Sequence, residues 1–286
     1  MRKLAIGTIA LGMLAGLAVQ GQEAAPQQPQ AQAPARRPAP PPSKPAPRWP
    51  DGRISFSGSP TDVGNWEGPA NASIFFNIVD GKVVKPGPSL ATNKTVNEIP
   101  FAPGMRKLYD SRWDQSGDPH TRCKPSGGSR FWHTPYGIEI VDLPESKEVI
   151  FLHVGAPHSW RVAYLDGRPH PANPGHTWYG HTIGKWEGDT LVLDTVGFNN
   201  RFWLTREGVP TTDKLHLIEK LSRPNHDQLR YEATVDDPGA YTATWSGGWN
   251  LRWSEGNEPF DYLCQENNRD PARMTGGGVA DSNRSR

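Results

Sequence analysis

Cysteine is nearly absent from this chain: Cys123 and Cys264 are the only two, and they lie far apart. Neither has a partner nearby in sequence and there is no Cys-x-x-Cys, so neither is expected to bind metal or act as a nucleophile. Net charge is nearly absent too. With 31 basic against 30 acidic residues, nothing suggests a polyanionic partner such as nucleic acid. The chain has no Gly-x-Ser-x-Gly, no Ser-x-x-Lys and no phosphate-cradling glycine loop. Serine-hydrolase, kinase and dinucleotide-binding chemistry are thereby set aside. Beyond residue 19 no apolar run could span a bilayer, so no membrane span is expected in the mature protein.

The one apolar run sets the expected compartment. Arg2 and Lys3 precede an uncharged stretch over residues 4–19, followed by polar Gln20-Gly21-Gln22. A basic start and a short apolar segment read as a cleaved secretory signal over residues 1–21, with an uncleaved anchor as the alternative. The protein is therefore expected in the periplasm or outside the cell. Residues 22–50 are mostly Pro, Ala and Gln, a composition that cannot bury a core and reads as a disordered spacer. Residues 269–286, with Gly276-Gly277-Gly278, read the same way. A single domain is expected over residues 51–268, long enough for a sizeable core. In an oxidising compartment Cys123 and Cys264 are candidates for a disulfide, worth up to about 5 kcal/mol by loop-closure bookkeeping. Two separate thiols are the alternative.

That domain reads as strands. Asp80-Gly81 between residues 74–79 and 82–85 is a hairpin signal. Further strands are expected at 138–141, 149–153, 160–165, 179–186, 190–196, 214–221, 228–235, 241–245 and 249–253. Alternation places Trp160, Val162 and Tyr164 on one face, and likewise Leu229, Tyr231, Ala233 and Val235. Only residues 100–113 admit a short helix. Short strands joined by tight turns predict a mainly β fold: an antiparallel meander closed as a lipocalin-like barrel, with a β-sandwich as the alternative.

The motifs along this domain carry a resemblance. Asp118-Pro119, Cys123-Lys124-Pro125 and Arg130 come first, then Asp166-Gly167-Arg168-Pro169-His170-Pro171. Gly180-His181 through Trp186-Glu187-Gly188-Asp189-Thr190-Leu191 follows, then Asp194-Thr195, Gly197-Phe198-Asn199, Asp236-Asp237-Pro238 and Cys264-Gln265-Glu266-Asn267. In this order they resemble a large family of exported bacterial hypothetical proteins. The resemblance covers nearly the whole domain, implies export and a single domain, and brings no activity with it. Gly128-Ser129 before Arg130, where the family has a proline, and Asp142-Leu143-Pro144, in place of Gln-Thr-Pro, are departures from its pattern.

Reactive side chains concentrate over residues 164–199, which hold His170, His176 and His181. If Glu187-Gly188 is a two-residue turn, His181 stands opposite Asp194 on a polar face shared with Lys185. Trp186, Leu191 and Leu193 then share the other face. A carboxylate that orients an imidazole is what acid–base chemistry needs, and a solvated face with an incidental ion pair is the plainer reading. Arg168 and His170 sit on a proline-stiffened loop suited to presenting a cation and an imidazole, whereas Asp166 is expected to bond its own backbone. Three imidazoles from His170, His176 and His181 would suit zinc, but the chain lacks a helical His-x-x-x-His pair, so no metal or other cofactor is expected. Most tryptophans are expected in the core, with Trp178, between two histidines, as the exception.

Two functional readings follow. In the first, an exported enzyme performs elimination, isomerisation or hydrolysis on a small molecule or glycoside. His181, His170 and Asp194 act, and Arg168, Arg161, Trp178, Tyr179 and Lys185 bind the ligand. In the second, a periplasmic carrier barrel holds an apolar ligand in an aromatic lumen, and the histidines are incidental.

Overall fold

Alternating sequence over much of the domain produces a sheet that closes on itself. The computed structural model describes residues 43–264, except 60, 69–76, 80, 81, 85–95, 115, 134, 135, 156 and 157. The expected signal over 1–21, most of the spacer over 22–50 and the tail over 269–286 therefore lie outside the described residues, as does the Asp80-Gly81 turn. Contacts with the barrel begin ahead of residue 51: the Lys44 carbonyl accepts from His226 N at 2.9 Å, and Arg48 pairs with Asp189 at 2.6 Å.

The strands are β1 (Gly64–Glu67), β2 (Asn77–Val79), β3 (Lys82–Val84), β4 (Ile138–Leu143), β5 (Glu148–His153) and β6 (Ser159–Tyr164). They continue with β7 (His181–Glu187), β8 (Thr190–Val196), β9 (His216–Asn225), β10 (Gln228–Asp236) and β11 (Trp245–Glu255). Strands β4 to β11 neighbour one another in sequence order, and β1 closes the barrel by pairing with both β11 and β4. The short hairpin β2–β3 stands apart as its own sheet. A barrel thus replaces the sandwich alternative. The helix expected within 100–113 is α1 (Met105–Ser111).

Several local expectations need correction. The meander is not wholly antiparallel, because β6 and β7 pair in parallel through Ala163↔Thr182 and Tyr164↔Ile183. A parallel pair requires the chain to travel back before re-entering the sheet, and residues 165–180 make that return. Residues 249–253 lie within β11, which starts at Trp245 and stays paired with β10 through Gly247 and Gly248, where glycine reads as a break. Strand β1, four residues long, is too short for its alternation to register.

Inward-facing side chains on β8, β9 and β10 are almost fully sealed, among them Leu191, Leu193, Leu217, Leu221, Leu229 and Tyr231. Each large side chain buried this way stabilises the fold by roughly 1.5–3 kcal/mol. A 3-10 segment, Gly128–His133, adds Phe131 and Trp132, both with no exposure. The Trp132 ring packs on Phe151 and Tyr231 with centroids 5.2 and 5.1 Å away, so rings fill the interior. At its centre Glu219 accepts hydrogen bonds from Arg161 Nη2 at 2.6 Å, Trp132 Nε1 at 2.7 Å and the Tyr231 hydroxyl at 2.9 Å. A carboxylate this deep is tolerable only because its oxygens are met by a cation and two further donors.

Candidate functional site

The β7–β8 hairpin turns at Gly188-Asp189, with Glu187 paired to Thr190, instead of at Glu187-Gly188. His181 therefore stands opposite Val196, and Asp194 opposite Ile183. The register differs by two residues from the expected one. An even shift preserves faces, so His181 and Asp194 still share the outer face while Trp186, Leu191 and Leu193 share the inner one. Leu191 and Leu193 are fully buried, and Trp186 stacks on Phe56 with ring centroids 5.5 Å apart.

His170 bridges the offset between His181 and Asp194. Its Nδ1 lies 2.9 Å from His181 Nδ1, and its Nε2 lies 3.2 Å from Asp194 Oδ1. His216, on the outer face of β9, brings its Nε2 to 2.7 Å from the same Asp194 oxygen. An ionised carboxylate only accepts, so both His170 Nε2 and His216 Nε2 carry protons. With His170 neutral, its Nδ1 is an acceptor, and His181 Nδ1–H donates to it. His181 Nε2 is then left with a lone pair. The His181 ring also stacks on Tyr164, and the Arg168 guanidinium lies over that same Tyr164 ring, 4.1 Å from its centroid. Burial lowers the His181 pKa below its ordinary value, and the Arg168 cation lowers it further, as would a proton gained by His170.

The return segment places these groups. Asp166 caps its own turn, accepting from Arg168 N at 3.1 Å, and holds the Arg168 guanidinium at 2.6 Å. Farther on, Thr177 N donates to the Gly197 carbonyl and Asn199 N donates to that of Thr177, which stitches the segment to the end of β8. Gly180, at φ +66°, sits where a Cβ would fall 2.5 Å from the Val196 carbonyl oxygen. Only glycine fits there, so the chain can press against β8 immediately before His181.

Upstream of the Ala163↔Thr182 pair, β6 and the return segment part. The gap is a cleft of about 310 Å³ lined by Arg161, Trp178, Tyr179 and His181, with Trp160 and Tyr164 at its outer side. Tyr179 also joins its hydroxyl to that of Ser159 at 2.7 Å. Four of the residues expected at a site thus line one cleft. Arg161 is 3% exposed and spends Nη2 on Glu219, while its Nε and Nη1 have no hydrogen-bond partner among the described residues and its guanidinium lies 5.1 Å from the Phe151 ring centroid. As an anion-positioning group Arg161 is therefore already compensated.

Other expected residues lie elsewhere. Arg168 is engaged with Asp166 and Tyr164 and does not line the cleft. Lys185 shares the outer face but pairs in solvent with Glu187 at 2.7 Å. His176 donates from Nδ1 to the Phe198 carbonyl at 2.9 Å, apart from the His170–His181 pair. Because His170 directs one nitrogen at His181 and the other at Asp194, these groups do not converge on one point. Among the described residues no group of three His, Cys, Asp or Glu side chains is disposed to hold a metal ion.

Sequence reasoning missed His216 and the exposure of Trp160. His216 sits between Leu215 and Leu217 in an alternating strand, which signals an outward polar position, but not that β9 neighbours Asp194. Trp160 shares its face with Val162 and Tyr164 as expected, yet that is the outer face and Trp160 is 64% exposed.

Cys123 and Cys264 are bridged, with Cα atoms 5.6 Å apart. Among the described residues no helix is long and apolar enough to cross a membrane. Compared with known family models, curated proteins and solved structures, the chain matches none.

Proposed function

We propose that this is an exported enzyme that moves protons on a small molecule or glycoside held in the cleft between β6 and the return segment. His181 is the acting base. Its bare Nε2 takes a proton from the substrate, and its Nδ1–H bond to His170 carries the resulting positive charge toward Asp194. His170 and Asp194 are positioning residues that fix the tautomer, and His216 anchors the same carboxylate oxygen. Elimination, isomerisation and hydrolysis all fit such a group. The observation that carries the reading is the ordered chain Asp194–His170–His181 ending at a ligand-sized cleft with aromatic walls. The disulfide favours an oxidising compartment and so supports export. The carrier reading has less support, because the rings that would line a lumen pack against one another.

The test begins with a thermal-shift screen across sugars, aromatic acids, terpenoids and divalent metals, followed by turnover of whatever stabilises the fold. His181→Ala should lower that turnover by roughly 10²–10⁴-fold with the melting temperature preserved. Turnover that survives His181→Ala and His170→Ala would refute the proposal.

A further inference from the structure

The cleft at His181 has a neighbour. A second cleft, of about 440 Å³, is lined by His176, Asn199, Asn200, Arg201 and Asp213, and it shares Thr177 and Trp178 with the first. Each volume lies at the low end of small-molecule sites, roughly 300–1,000 Å³. Trp178 is thus the common wall of two ring-sized spaces, one aromatic and one polar.

Their charges cancel. In the second cleft Arg201 faces the same space as Asp213. In the first, the charge of Arg161 is met by Glu219. A phosphate or polyanion would find no net positive field in either. Aromatic faces are nonetheless offered to solvent: Trp160 is 64% exposed on the outer face of β6, unusual for the largest apolar side chain, and Trp178 is only partly buried. A ligand matching both features is neutral, has flat C–H faces to lay on indole rings, and has hydroxyl edges for amide, carboxylate and guanidinium groups. That is a saccharide, and two adjoining clefts ask for more than one ring of it.

We infer that the clefts are two subsites for a neutral oligosaccharide, one ring lying beside His181 against Trp160 and Trp178, and the next beyond Trp178 among Asn199, Asn200 and Asp213. The inference rests on the first cleft being the ligand site proposed above and names its substrate class. It assigns Trp178 to chain-length selectivity and the Asn200–Asp213 cleft to a role no catalytic group requires.

The test is calorimetric titration of the disulfide-bonded protein with neutral gluco-, xylo-, manno- and chito-oligosaccharides of one to about six units. At least one series should bind with affinity that rises on passing from one ring to several, by about tenfold, as a second stacked ring contributes. Trp178→Ala should remove the length dependence. Trp160→Ala, on an exposed side chain that the fold does not need, should weaken all members of the series. Asn200→Ala should weaken only the longer ones. No binding by any of the four series, affinity independent of length, or unchanged affinity in Trp160→Ala would overturn the inference, as would binding of a proline-rich peptide in their place. Binding is read without turnover, so the two proposals fail separately. If oligosaccharides bind and His181→Ala leaves turnover intact, the acid–base reading falls alone. If a compound that is not a saccharide is turned over through His181 and no oligosaccharide binds, the subsite inference falls alone.

Discussion

Acidification from about pH 6.5 to 5 should weaken the barrel through its buried imidazoles. His153 is 2% exposed, packs its ring on Phe131 at 5.0 Å, and has its pKa lowered to about 3 by burial, with His120, Arg130 and His158 adding to the effect and a backbone hydrogen bond at Gly155 opposing it. In the unfolded chain the same group titrates near its ordinary value of about 6.5. Below that value the unfolded state binds a proton that the folded state refuses, so stability falls as pH falls until about pH 3. Each pH unit costs about 1.4 kcal/mol per such group, which gives about 2 kcal/mol for His153 at pH 5. His120 and His133 are lowered to about 3 as well, chiefly by burial, and their Nδ1 and Nε2 respectively are sealed without partners among the described residues. Both keep some surface contact, so their shares are smaller; at full strength the three together would cost about 6 kcal/mol. A domain holds roughly 5–15 kcal/mol in all, so the effect is measurable and could unfold the protein. His226 works the other way: burial opposes its charged form, but hydrogen bonds to Asp227 and Asp62 prevail and raise its pKa. The assay is urea unfolding at closely spaced pH values over this window, above the carboxylate range. His153→Phe keeps a ring against Phe131 and removes the titrating group. Its plot of stability against pH should be shallower than the parent's by about 1.4 kcal/mol per pH unit, whatever its absolute stability. Equal slopes in parent and variant would mean that His153 is not held neutral by burial.

Glu219→Gln leaves Arg161 charged in the interior and should cost about 3–5 kcal/mol in urea unfolding, whereas Arg161→Met with Glu219→Leu should cost less than the two single changes combined. Reducing the Cys123–Cys264 bridge should lower the melting temperature, with about 5 kcal/mol as the ceiling for a loop of this length; unchanged melting in reductant would contradict it. A rate that needs neutral His181 should be flat at and above neutral pH and fall on acidification through its lowered pKa. Arg168→Gln removes a cation that lowers it, so the acid limb should move to higher pH. Asp194→Asn should reduce kcat without unfolding the barrel, because the amide can present an N–H to His170 Nε2 and reverse the tautomer that leaves His181 Nε2 bare.

Alternation by itself was enough to determine which faces of β8, β9 and β10 turn inward, since a strand exposes every second residue and water excludes the apolar set. The same period of two made the shared face of His181 and Asp194 insensitive to the two-residue error in register. The redox pairing of Cys123 and Cys264 was legible from their number. Local sequence could not determine the parallel pairing of β6 and β7, which depends on how far residues 165–180 travel before re-entering the sheet. That one topological choice opens the cleft, carries His170 over the outer face to span His181 and Asp194, and places Trp178 between two spaces. Nor could sequence reveal that Arg161 would meet Glu219 inside the barrel or that His216 would join Asp194. Arg161 and Glu219 are separated by 58 residues and meet across the interior of the closed barrel, whereas His216 and Asp194, 22 residues apart, meet through the pairing of β8 with β9.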